Sequence, residues 1–577
     1  MKFLINLNSN QSPELIKFSY SNELENFFTK NISNINKFKK SINDNKRNFF
    51  NWFYKNSDFD SKYWWMTSIF MKNNLSNHYF DNLSYISFLD ELITENKINN
   101  KIIVIERDYL ALDFCNLLRK RNVNFKVSKL DYFITKFNFK LKNFFIILLN
   151  ILKFLFDFNY SLFLSKLINP KLTINLNNHI KIFHLCLSKK DILSKNPIEC
   201  DYFKDIPDIS DSNYFIYKLP WIVDSNIISK LTIFKKINDK NIINPYQFIN
   251  FKFQFYILKQ IYNCFRYVNF SKTYKNFDIR SLLNSYKFKN TSFLLQNYIF
   301  WSYELVINKF HENKNVIKFY DPFHMGISEV IQKSIHFREK VEFNGYYHSF
   351  CSDSILGYHF TNKEINSKFF PDKIILNVSN NLKKKSISIF NKKSIYGPAI
   401  RQKDILSQKY ELLNINKYDL LFLLPLNKSF EDEIIYLFKI YSNYLSNFKI
   451  AIKFHPKSNR NIHTISLDEN LNYDFIKNDL ISAINTSKII ITVCSSSFID
   501  ALLLGRISLT YSPSFTLDWD FKELEQKYGK NFKINMFNFQ EIISNINKNY
   551  EVEKTNFQNI AEDLKKYFNI RSDVFLS

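Results

Sequence analysis

Apolar residues recur along the chain at two spacings, and their alternation is clearest after residue 315. Short apolar runs typical of buried strands lie at 316–320, 341–347, 419–424, 449–454, 488–493 and 507–511. Segments with the spacing of a helix lie between them, at 327–335, 430–445, 479–485 and 498–504. Strands that alternate with helices in this way predict βαβ units and a parallel sheet. Because ligands of such sheets bind beyond the carboxyl ends of the strands, functional side chains are expected in the loops that follow them.

The first 310 residues have a weaker pattern. A strand-like run at 101–106 precedes a helical segment at 109–120, which indicates one βα unit, and a further strand is expected at 181–187. The aromatic segment at 61–73 is predicted to be helical. This part of the chain is therefore expected to contain both strands and helices, but without a clear order.

An apolar helix is predicted at about 141–168, and its stretch 144–167 approaches the length of a membrane span. Lys153 and Asp157 lie in the middle of that stretch, and a charge at the centre of a bilayer costs about 3 kcal/mol. A buried core helix or an amphipathic helix at a membrane surface is therefore favoured over a span.

Composition and charge limit the class of protein. The 577 residues exceed the size of one core, and a hydrophobic content of 46% supports two or three folded domains. The formal net charge of +25 is carried by lysines scattered along the chain, which favours a solvated surface and leaves an anionic membrane surface as the alternative partner. The sequence contains no helix-turn-helix, zinc-finger or RNA-binding signature, so nucleic acid is not expected as a partner.

The cysteines indicate the compartment. None of the six lies in a CxxC or another metal-ligand spacing, and Met1–Leu7 is too short for the apolar region of a secretory signal. Reduced thiols and a cytoplasmic location are therefore expected, with peripheral attachment to the inner face of the cytoplasmic membrane left open.

Glycine is scarce, and all six glycines follow residue 325. Each is expected where the backbone needs a positive φ or where another group approaches closely. Gly505 is predicted to end the helix at 498–504 in a left-handed conformation.

Two polar motifs follow predicted strands in the last third of the chain. They are IKFHPK at 452–457 and TVCSSSFIDALLLG at 492–505. A helix that begins near Ser497 presents backbone N–H groups and a positive dipole end, which suit a nucleotide phosphate. The candidate binding residues in these motifs are Lys453, His455, Pro456, Ser495, Ser496, Ser497 and Asp500.

Each candidate has a chemical role and a structural alternative. His455 can donate a hydrogen bond to a phosphate or to a leaving group, Pro456 stiffens its loop, and Lys453 lies on the same side of the strand as His455. Asp500 can accept hydrogen bonds from ribose hydroxyls. Ser497 and Asp500 also have the spacing of a helix capping box, which needs no ligand.

These two motifs resemble the donor half of bacterial capsule and lipopolysaccharide glycosyltransferases. That group includes Kdo transferases and bacterial sialyltransferases, in which an HP motif and a later Ser-Ser/Thr motif bind the phosphate of a CMP-sugar. Asp500 stands where many relatives have Glu. The resemblance is good at about 415–515 and weak at 315–410, and it implies a GT-B fold, in which two Rossmann-like domains face a cleft.

A second group of polar residues lies in the loops at 321–329 and 345–360. These loops resemble a region of surface-carbohydrate proteins in which a GxQHS/G loop follows a strand, with Tyr347 in place of the usual Gln. Inverting glycosyl transfer needs a carboxylate or an imidazole at the acceptor hydroxyl. His348 is the first choice, because Gly345 lets the backbone approach closely. The other candidates, each with a loop cap as its alternative role, are Asp321, His324, Glu329 and Asp353.

Arg401, in the motif GPAIRQ at 397–402, can reach a phosphate from the connection between the domains, and an ordinary surface arginine is the alternative. The two DxD strings, at 58–60 and 518–520, do not follow buried strands, so neither is interpreted as a metal site. The sequence has no P-loop, GxGxxG, GxSxG or HExxH motif, and no cofactor is expected.

The sequence thus predicts an α/β protein with two Rossmann-like domains. An acceptor-side domain enlarged by helices is expected at 1–390, a nucleotide-sugar-binding domain at 395–555, and a helix at 556–577 that crosses back to the first domain. The predicted function is a metal-independent glycosyltransferase that moves a sugar from a nucleotide donor, CMP-linked in one version, to a surface polysaccharide or lipid-linked acceptor. Two alternatives stay open: a non-catalytic scaffold in a membrane-associated polysaccharide assembly complex, and a CMP-dependent polyol-phosphate transferase.

Overall fold

The structure is a computed structural model, and it describes most of the chain in separate segments. The described residues are 3–6, 14–18, 32–57, 79–95, 101–105, 108–123, 125, 129–168, 179–188, 203, 214–223, 227–236, 242–267, 272–275, 277–286, 317–322, 341–347, 355–356, 359–367, 369–379, 393–407, 416–455, 458, 465, 467–477, 479–514 and 516–568.

The amino-terminal part contains a small sheet and four long helices among its described residues. The strands are β1 (Phe3–Asn6), β2 (Glu14–Phe18) and β3 (Lys101–Ile105), in the order β1-β3-β2, with β1 antiparallel and β2 parallel to β3. The helices are α1 (Ile32–Asn56), α2 (Tyr79–Thr94), α3 (Asp108–Lys120) and α4 (Lys129–Ile168). Strand β3 and helix α3 are the βα unit predicted from the sequence, whereas the predicted helix at 61–73 lies outside the described residues.

The first large sheet has six parallel strands in the order β11-β10-β9-β8-β4-β5. Its strands are β4 (His179–Ser188), β5 (Tyr214–Val223), β8 (Ile317–Pro322), β9 (Glu342–Tyr347), β10 (Lys373–Leu376) and β11 (Ser394–Tyr396). Strand β5 is added on one side of β4, and β8 to β11 are added in turn on its other side. The pair β4 and β8 is therefore the switch point of the strand order, where ligands of such sheets bind. Other elements of this region are helices α5 (Ile227–Lys236), α6 (Phe253–Tyr267) and α7 (Asn362–Asn366), the 3₁₀ turn Pro245–Gln247 and the hairpin β6 (Thr273–Tyr274) and β7 (Phe277–Asp278).

The second large sheet also has six parallel strands, in the order β14-β13-β12-β15-β16-β17. The strands are β12 (Tyr418–Leu423), β13 (Ile450–Lys453), β14 (Tyr473–Phe475), β15 (Ser487–Val493), β16 (Ile507–Tyr511) and β17 (Lys533–Ile534). Counted along the chain, this is the 3-2-1-4-5-6 order of the Rossmann fold, with its switch point between β12 and β15.

Short helices connect and cover these strands. After a 3₁₀ turn at Ile400–Gln402 they are α8 (Lys403–Leu406), α9 (Lys428–Ile440), α10 (Ser442–Leu445), α11 (Leu480–Asn485), α12 (Ser497–Leu503), α13 (Lys522–Tyr528), α14 (Phe539–Lys548) and α15 (Tyr550–Lys565). Strands buried by helices on both faces have continuous apolar sequences, and the buried side chains of this region form one large hydrophobic cluster.

The predicted fold class is confirmed: the chain is an α/β protein with two Rossmann-like parallel sheets. The strands predicted at 488–493 and 507–511 are β15 and β16, and the predicted helix at 498–504 is α12. The helix predicted at 327–335 lies outside the described residues. Strand β11, which lies at the predicted domain boundary, pairs with β10 as an edge strand of the first sheet.

The last helix ends against the first sheet. After α15, Phe568 forms an isolated antiparallel bridge with Val378, just beyond β10. The Ser379 backbone N–H and the Tyr396 hydroxyl both donate to the Tyr567 carbonyl, each at 2.8 Å. Tyr567 and Phe568, the last described residues of the second domain, are therefore bonded to the first sheet.

Two glycines have the backbone roles expected of them. Gly505 follows α12 with φ of +68°, so it ends the helix in the left-handed conformation as predicted. A Cβ added at Gly397 would lie 2.3 Å from Cγ2 of Ile375 in β10, so the connection after β11 passes too close to the sheet for a side chain.

Helix α4 contains the predicted apolar stretch and extends it to 40 residues. In the described part of the chain, no helix combines the length and apolar character required to cross a membrane.

Candidate functional site

The polar motifs of the second domain lie along one edge of its sheet. All six strands are parallel, so the loop with His455 after β13 and the loop with Ser495 after β15 leave the sheet at the same edge. Strand β12 lies between them, and two strand spacings correspond to about 10 Å. This edge contains the switch point, where a ligand contacts the loops of both halves of the sheet.

The serine turn, defined as residues 494–497, connects β15 to α12. Cys494 has φ of +46°, an uncommon conformation for a residue with a side chain. The Ser495 hydroxyl donates to Ser497 Oγ at 3.1 Å and accepts from the Ser497 N–H at 3.2 Å. Ser496 is the N-cap of α12 but caps it with no side-chain hydrogen bond. The three serines are half-buried. The capping-box alternative for Ser497 and Asp500 is therefore wrong: the N-cap is Ser496, and the Asp500 carboxylate accepts from Arg401 and Gln402.

The Asp500 carboxylate is bound by the connection between the domains. Its Oδ2 accepts from Arg401 Nη2 at 2.6 Å, and its Oδ1 accepts from Gln402 Nε2 at 3.0 Å. Arg401 Nη1 also donates to Ser496 Oγ at 2.9 Å. Arg401, predicted to bind a phosphate, and Asp500, predicted to bind a ribose, are thus bonded to each other, and the Arg401 guanidinium lies beside the serine turn. In this structure Asp500 holds Arg401 in place.

Residues of the first sheet fix that connection. The Tyr346 hydroxyl at the end of β9 donates to the Pro398 carbonyl at 2.6 Å and accepts from the Ile400 N–H at 3.2 Å. Tyr346 is fully buried, and burial raises the pKa of its hydroxyl above the ordinary range. The tyrosine stays protonated at neutral pH, so it keeps the donor that orients the segment leading to Arg401.

The loop after β13 contains the other donor candidates. Lys453 is half-buried and His455 is exposed, whereas Pro456 lies outside the described residues. The His455 carbonyl accepts from the Ser458 N–H at 2.8 Å, and the Ser458 hydroxyl donates to Glu431 of α9 at 2.9 Å. These bonds hold the turn while the imidazole remains accessible to a ligand.

A buried carboxylate supports the loop after β16. Glu433 of α9 accepts from the Tyr511 hydroxyl at 2.8 Å and from both the backbone N–H and the hydroxyl of Ser514, at 3.0 and 2.8 Å. Burial raises the pKa of Glu433, and the hydrogen bonds from Ser514 and Tyr511 oppose that shift. This residue was not predicted, although it lies three residues after Phe430 and four before Leu437, and an acid on the same helix face as apolar residues is a signal of a buried carboxylate.

Helix α1 contacts the same loop from the amino-terminal part. Lys39 Nζ donates to Ser512 Oγ at 3.2 Å, to the Thr516 carbonyl at 2.9 Å and to Asp518 Oδ1 at 3.0 Å. Lys533 Nζ bonds the other oxygen of Asp518 at 3.0 Å. Burial raises the pKa of Asp518, but Lys39 and Lys533 outweigh it and hold that pKa well below its usual range. The DxD string at 518–520 is thus part of an ion-pair cluster between the amino-terminal part and the second domain.

In the first sheet, Asp321 pairs with a histidine across the switch point. His184 Nδ1 of β4 lies 2.5 Å from Asp321 Oδ1 of β8, and both side chains are fully buried. The register places Asp321 opposite Gly345 of β9, which has no side chain beside the carboxylate. His184 was missed because a lone histidine in the apolar run KIFHLCL reads as a core residue. The other candidates of this region, His348, Glu329, His324 and Asp353, lie outside the described residues.

No family model and no curated protein matches the sequence. Solved structures with a similar arrangement include the UDP-GlcNAc 2-epimerase from Neisseria meningitidis bound to UDP-GlcNAc, with 11% identity, a TM-score of 0.37, and coverage of 69% of this chain and 98% of that chain. A transferase from Siraitia grosvenorii in complex with UDP has 10% identity and a TM-score of 0.36, covering 67% and 95%. The amino-terminal domain of trehalose-6-phosphate phosphatase from Candida albicans has 10% identity and a TM-score of 0.37, covering 71% and 98%.

Proposed function

We propose that this chain is a GT-B-type glycosyltransferase that moves a sugar from a nucleotide donor to a surface polysaccharide or a lipid-linked glycan. The observation that carries the proposal is the cluster of Arg401, Ser496 and Asp500 at the switch-point edge of the second sheet. It combines a fixed guanidinium with hydroxyl donors at the position where parallel α/β sheets bind ligands.

The donor phosphate is proposed to lie between the serine turn and His455. The hydroxyls of the turn and the Arg401 guanidinium would donate to phosphate oxygens, and Lys453 would add positive charge from the end of β13. His455 would donate to the oxygen that leaves with the nucleotide when the bond to the sugar breaks. Donors that are already in place stabilise that charge without reorganisation, which is the part played by a metal ion in other transferases.

The acceptor hydroxyl is proposed to enter from the first domain. His348, which directly follows β9, remains the first choice for the base, and Glu329 is the alternative. Asp321 is fully buried and paired with His184, so its proposed role is to position the switch-point edge of the first sheet. A base must reach the acceptor hydroxyl within about 3 Å, which favours a loop residue over a buried one.

Calorimetric titration of the full-length protein with CMP, UDP and GDP tests the donor site. At least one nucleotide is expected to bind, and Ser496→Ala is expected to weaken it about tenfold, the effect of losing one hydrogen bond to a charged group. Ser446→Ala is the matched control, because Ser446 is exposed and distant from the switch-point edge. A folded protein that binds none of the three nucleotides removes the donor-site claim.

Turnover of a labelled donor tests the role of His455. His455→Ala is expected to lose transfer while its unfolding midpoint is unchanged, because the side chain is exposed. His179→Ala is the control: His179 is also exposed but begins β4, at the opposite end of its strand from the switch-point edge. Unchanged turnover in His455→Ala rejects the role.

A non-catalytic scaffold is the second candidate, and the Asp500 contacts favour it. Both carboxylate oxygens are bound by protein side chains, so the ribose contact expected of this position would require Arg401 or Gln402 to move. A protein that binds nucleotide but transfers neither sugar nor polyol phosphate supports the scaffold. Phosphate-labelled product would instead select the polyol-phosphate transferase.

A further inference from the structure

Helix α4 presents a long apolar face that the described protein does not cover. Its 40 residues correspond to a length of about 60 Å. Phe144, Leu149, Phe163 and Leu167 each keep more than 60% of their surface exposed, and the outward face includes further large apolar residues. They are Phe133, Phe137, Leu141, Phe145, Ile146, Leu148, Leu152 and Phe156. Isolated exposed apolar residues are ordinary, but a continuous row of this length marks an interaction surface.

The opposite face of α4 is fixed to the protein partly by polar contacts. Lys230 of α5 forms an ion pair with Asp157 and donates to Ser161 Oγ at 2.9 Å. Asn159, whose position at 100° per residue lies within the arc of the exposed apolar residues, donates to Gln254 of α6 at 3.2 Å, so α6 packs against that side of the helix. The inner face also buries Phe154, Phe158 and Leu164, so α4 is apolar on its inner and outer sides, unlike an ordinary surface helix.

Four of the exposed lysines of α4 flank this apolar face. At 100° per residue, the exposed apolar side chains other than Ile146 fall within an arc of roughly 160°, with Lys136 and Lys140 at one border and Lys142 and Lys153 at the other. Lys166, in the last turn, is exposed within the arc. The acidic residue whose side chain is described, Asp157, is bound to Lys230 on the inner side. Lysines at both borders of an apolar arc are the pattern of a helix that lies in a membrane interface.

Helix α6 adds a second group of the same character. Phe255 and Tyr262 are 61% and 60% exposed, and Phe251 just before the helix is 56% exposed. Lys259 lies between the two helical aromatics and is also exposed. Because Gln254 of α6 bonds to α4, these aromatics begin next to the outward face of α4.

We infer that the outward face of α4, with Phe251, Phe255 and Tyr262, binds the surface of an anionic lipid bilayer. The aromatic and aliphatic side chains enter the interface, and the bordering lysines contact lipid phosphates. A second copy of the chain fits less well, because its bordering lysines would bring like charges together. This surface goes beyond the proposed function, and no nucleotide is needed to test it.

Cosedimentation of full-length protein with vesicles tests the surface. Vesicles of phosphatidylcholine with about 30% phosphatidylglycerol are expected to bind the protein, and pure phosphatidylcholine is expected to bind it at least tenfold more weakly, as charge attraction requires. A variant with Phe144→Ser, Leu148→Ser and Leu152→Ser is expected to lose about tenfold or more of the partition coefficient. These side chains are exposed, so the unfolding midpoint should not fall.

The matched control replaces three exposed apolar residues of the second domain, with Ile440→Ser, Phe537→Ser and Val552→Ser, and should bind as the wild type does. A charge series provides the second measurement. Binding should fall about tenfold when glutamine replaces Lys136, Lys140, Lys142 and Lys153. It should be nearly unchanged when glutamine replaces an equal number of exposed lysines elsewhere: Lys477, Lys522, Lys548 and Lys566.

Three results would overturn the inference. They are absence of binding to both kinds of vesicle, equal binding by the serine variant and its control, and a concentration-dependent dimer in light scattering that the serine variant abolishes. The last result would assign the face to a second copy of the chain. Failure of nucleotide binding in calorimetry would leave vesicle binding unaffected, so the two proposals fail separately.

Discussion

Replacing Arg401 with methionine removes a guanidinium that bonds two residues at the start of helix α12. The Asp500 side chain is 4% exposed and that of Arg401 is 26% exposed. Without the arginine, the buried carboxylate keeps one neutral donor, Gln402, at 3.0 Å. Removing one partner of a buried ion pair costs about 3–5 kcal/mol. Because Arg401 is partly exposed, solvent screening reduces the expected loss to about 2 kcal/mol.

Equilibrium unfolding in urea, followed by circular dichroism, measures this loss as a lower midpoint at an unchanged slope. Arg121→Met is the matched control. Arg121 also forms two bonds to one carboxylate, at 2.8 Å each to Asp90, but its side chain is 46% exposed. An exposed pair of this kind contributes less than about 1 kcal/mol, so the control should lose correspondingly little.

A double-mutant cycle decides whether the pair acts as a unit. With Arg401→Met and Asp500→Asn measured singly and together, a coupling free energy of about 1–2 kcal/mol is expected. A coupling below about 0.5 kcal/mol would refute the reasoning, because the two side chains would then contribute independently. Nucleotide affinity should fall in Arg401→Met and stay unchanged in the Arg121 control.

Three further predictions concern the acid groups and the domain connection. The pKa of Asp518 is lowered in the folded protein, so its contribution to stability is present above its ordinary pKa of 3.8 and is lost as the pH falls through the lower folded pKa. Asp518→Asn should therefore reduce the loss of unfolding free energy at acidic pH, measured as urea midpoints across that range. The pKa of Glu433 is raised above its ordinary value of 4.5 in the folded protein, so the protein loses stability as the pH rises above 4.5. Glu433→Gln should reduce that loss, measured as urea midpoints at a series of pH values. In the same urea assay, Gly397→Ala should lose about 1–3 kcal/mol of unfolding free energy, because its Cβ would clash with Ile375. The control Gly529→Ala should lose only about 1 kcal/mol, because its Cβ would meet nothing within 4 Å and only its φ of +60° is unfavourable.

The strands of the second domain could be predicted because burial on both faces leaves a continuous apolar run. Strand β16 was predicted at 507–511 and is observed at Ile507–Tyr511. The three-stranded amino-terminal sheet was missed in part for the opposite reason. Strands β1 and β2 have only four and five residues, and β2, ELIKF, has charged residues within it. Strand β16 is no longer than β2, so the charges within β2, and not its length, leave it without a continuous apolar run.

Residue types at the strand ends could be predicted, but their partners could not. Arg401 and Asp500 are 99 positions apart, and the bond between them depends on the path of the connection after β11. Lys39 is one of 79 basic residues, and its bond to Asp518 spans 479 positions. Local patterns identify which side chains reach an edge, whereas long-range packing decides which of them neutralise each other.

The connection between the domains is bonded to the first sheet at Pro398 and to the serine turn at Arg401. Gly397 lets the chain pass against the first sheet, and Tyr346 fixes the carbonyl of Pro398 from β9. Three residues later, Arg401 holds Asp500. A rotation of one sheet relative to the other must therefore either pivot within this short segment or break the bonds to Asp500. If the donor phosphate competes with Asp500 for the guanidinium, nucleotide binding would loosen the same contact that joins α12 to the first domain. Donor binding and domain movement would then be linked through one arginine.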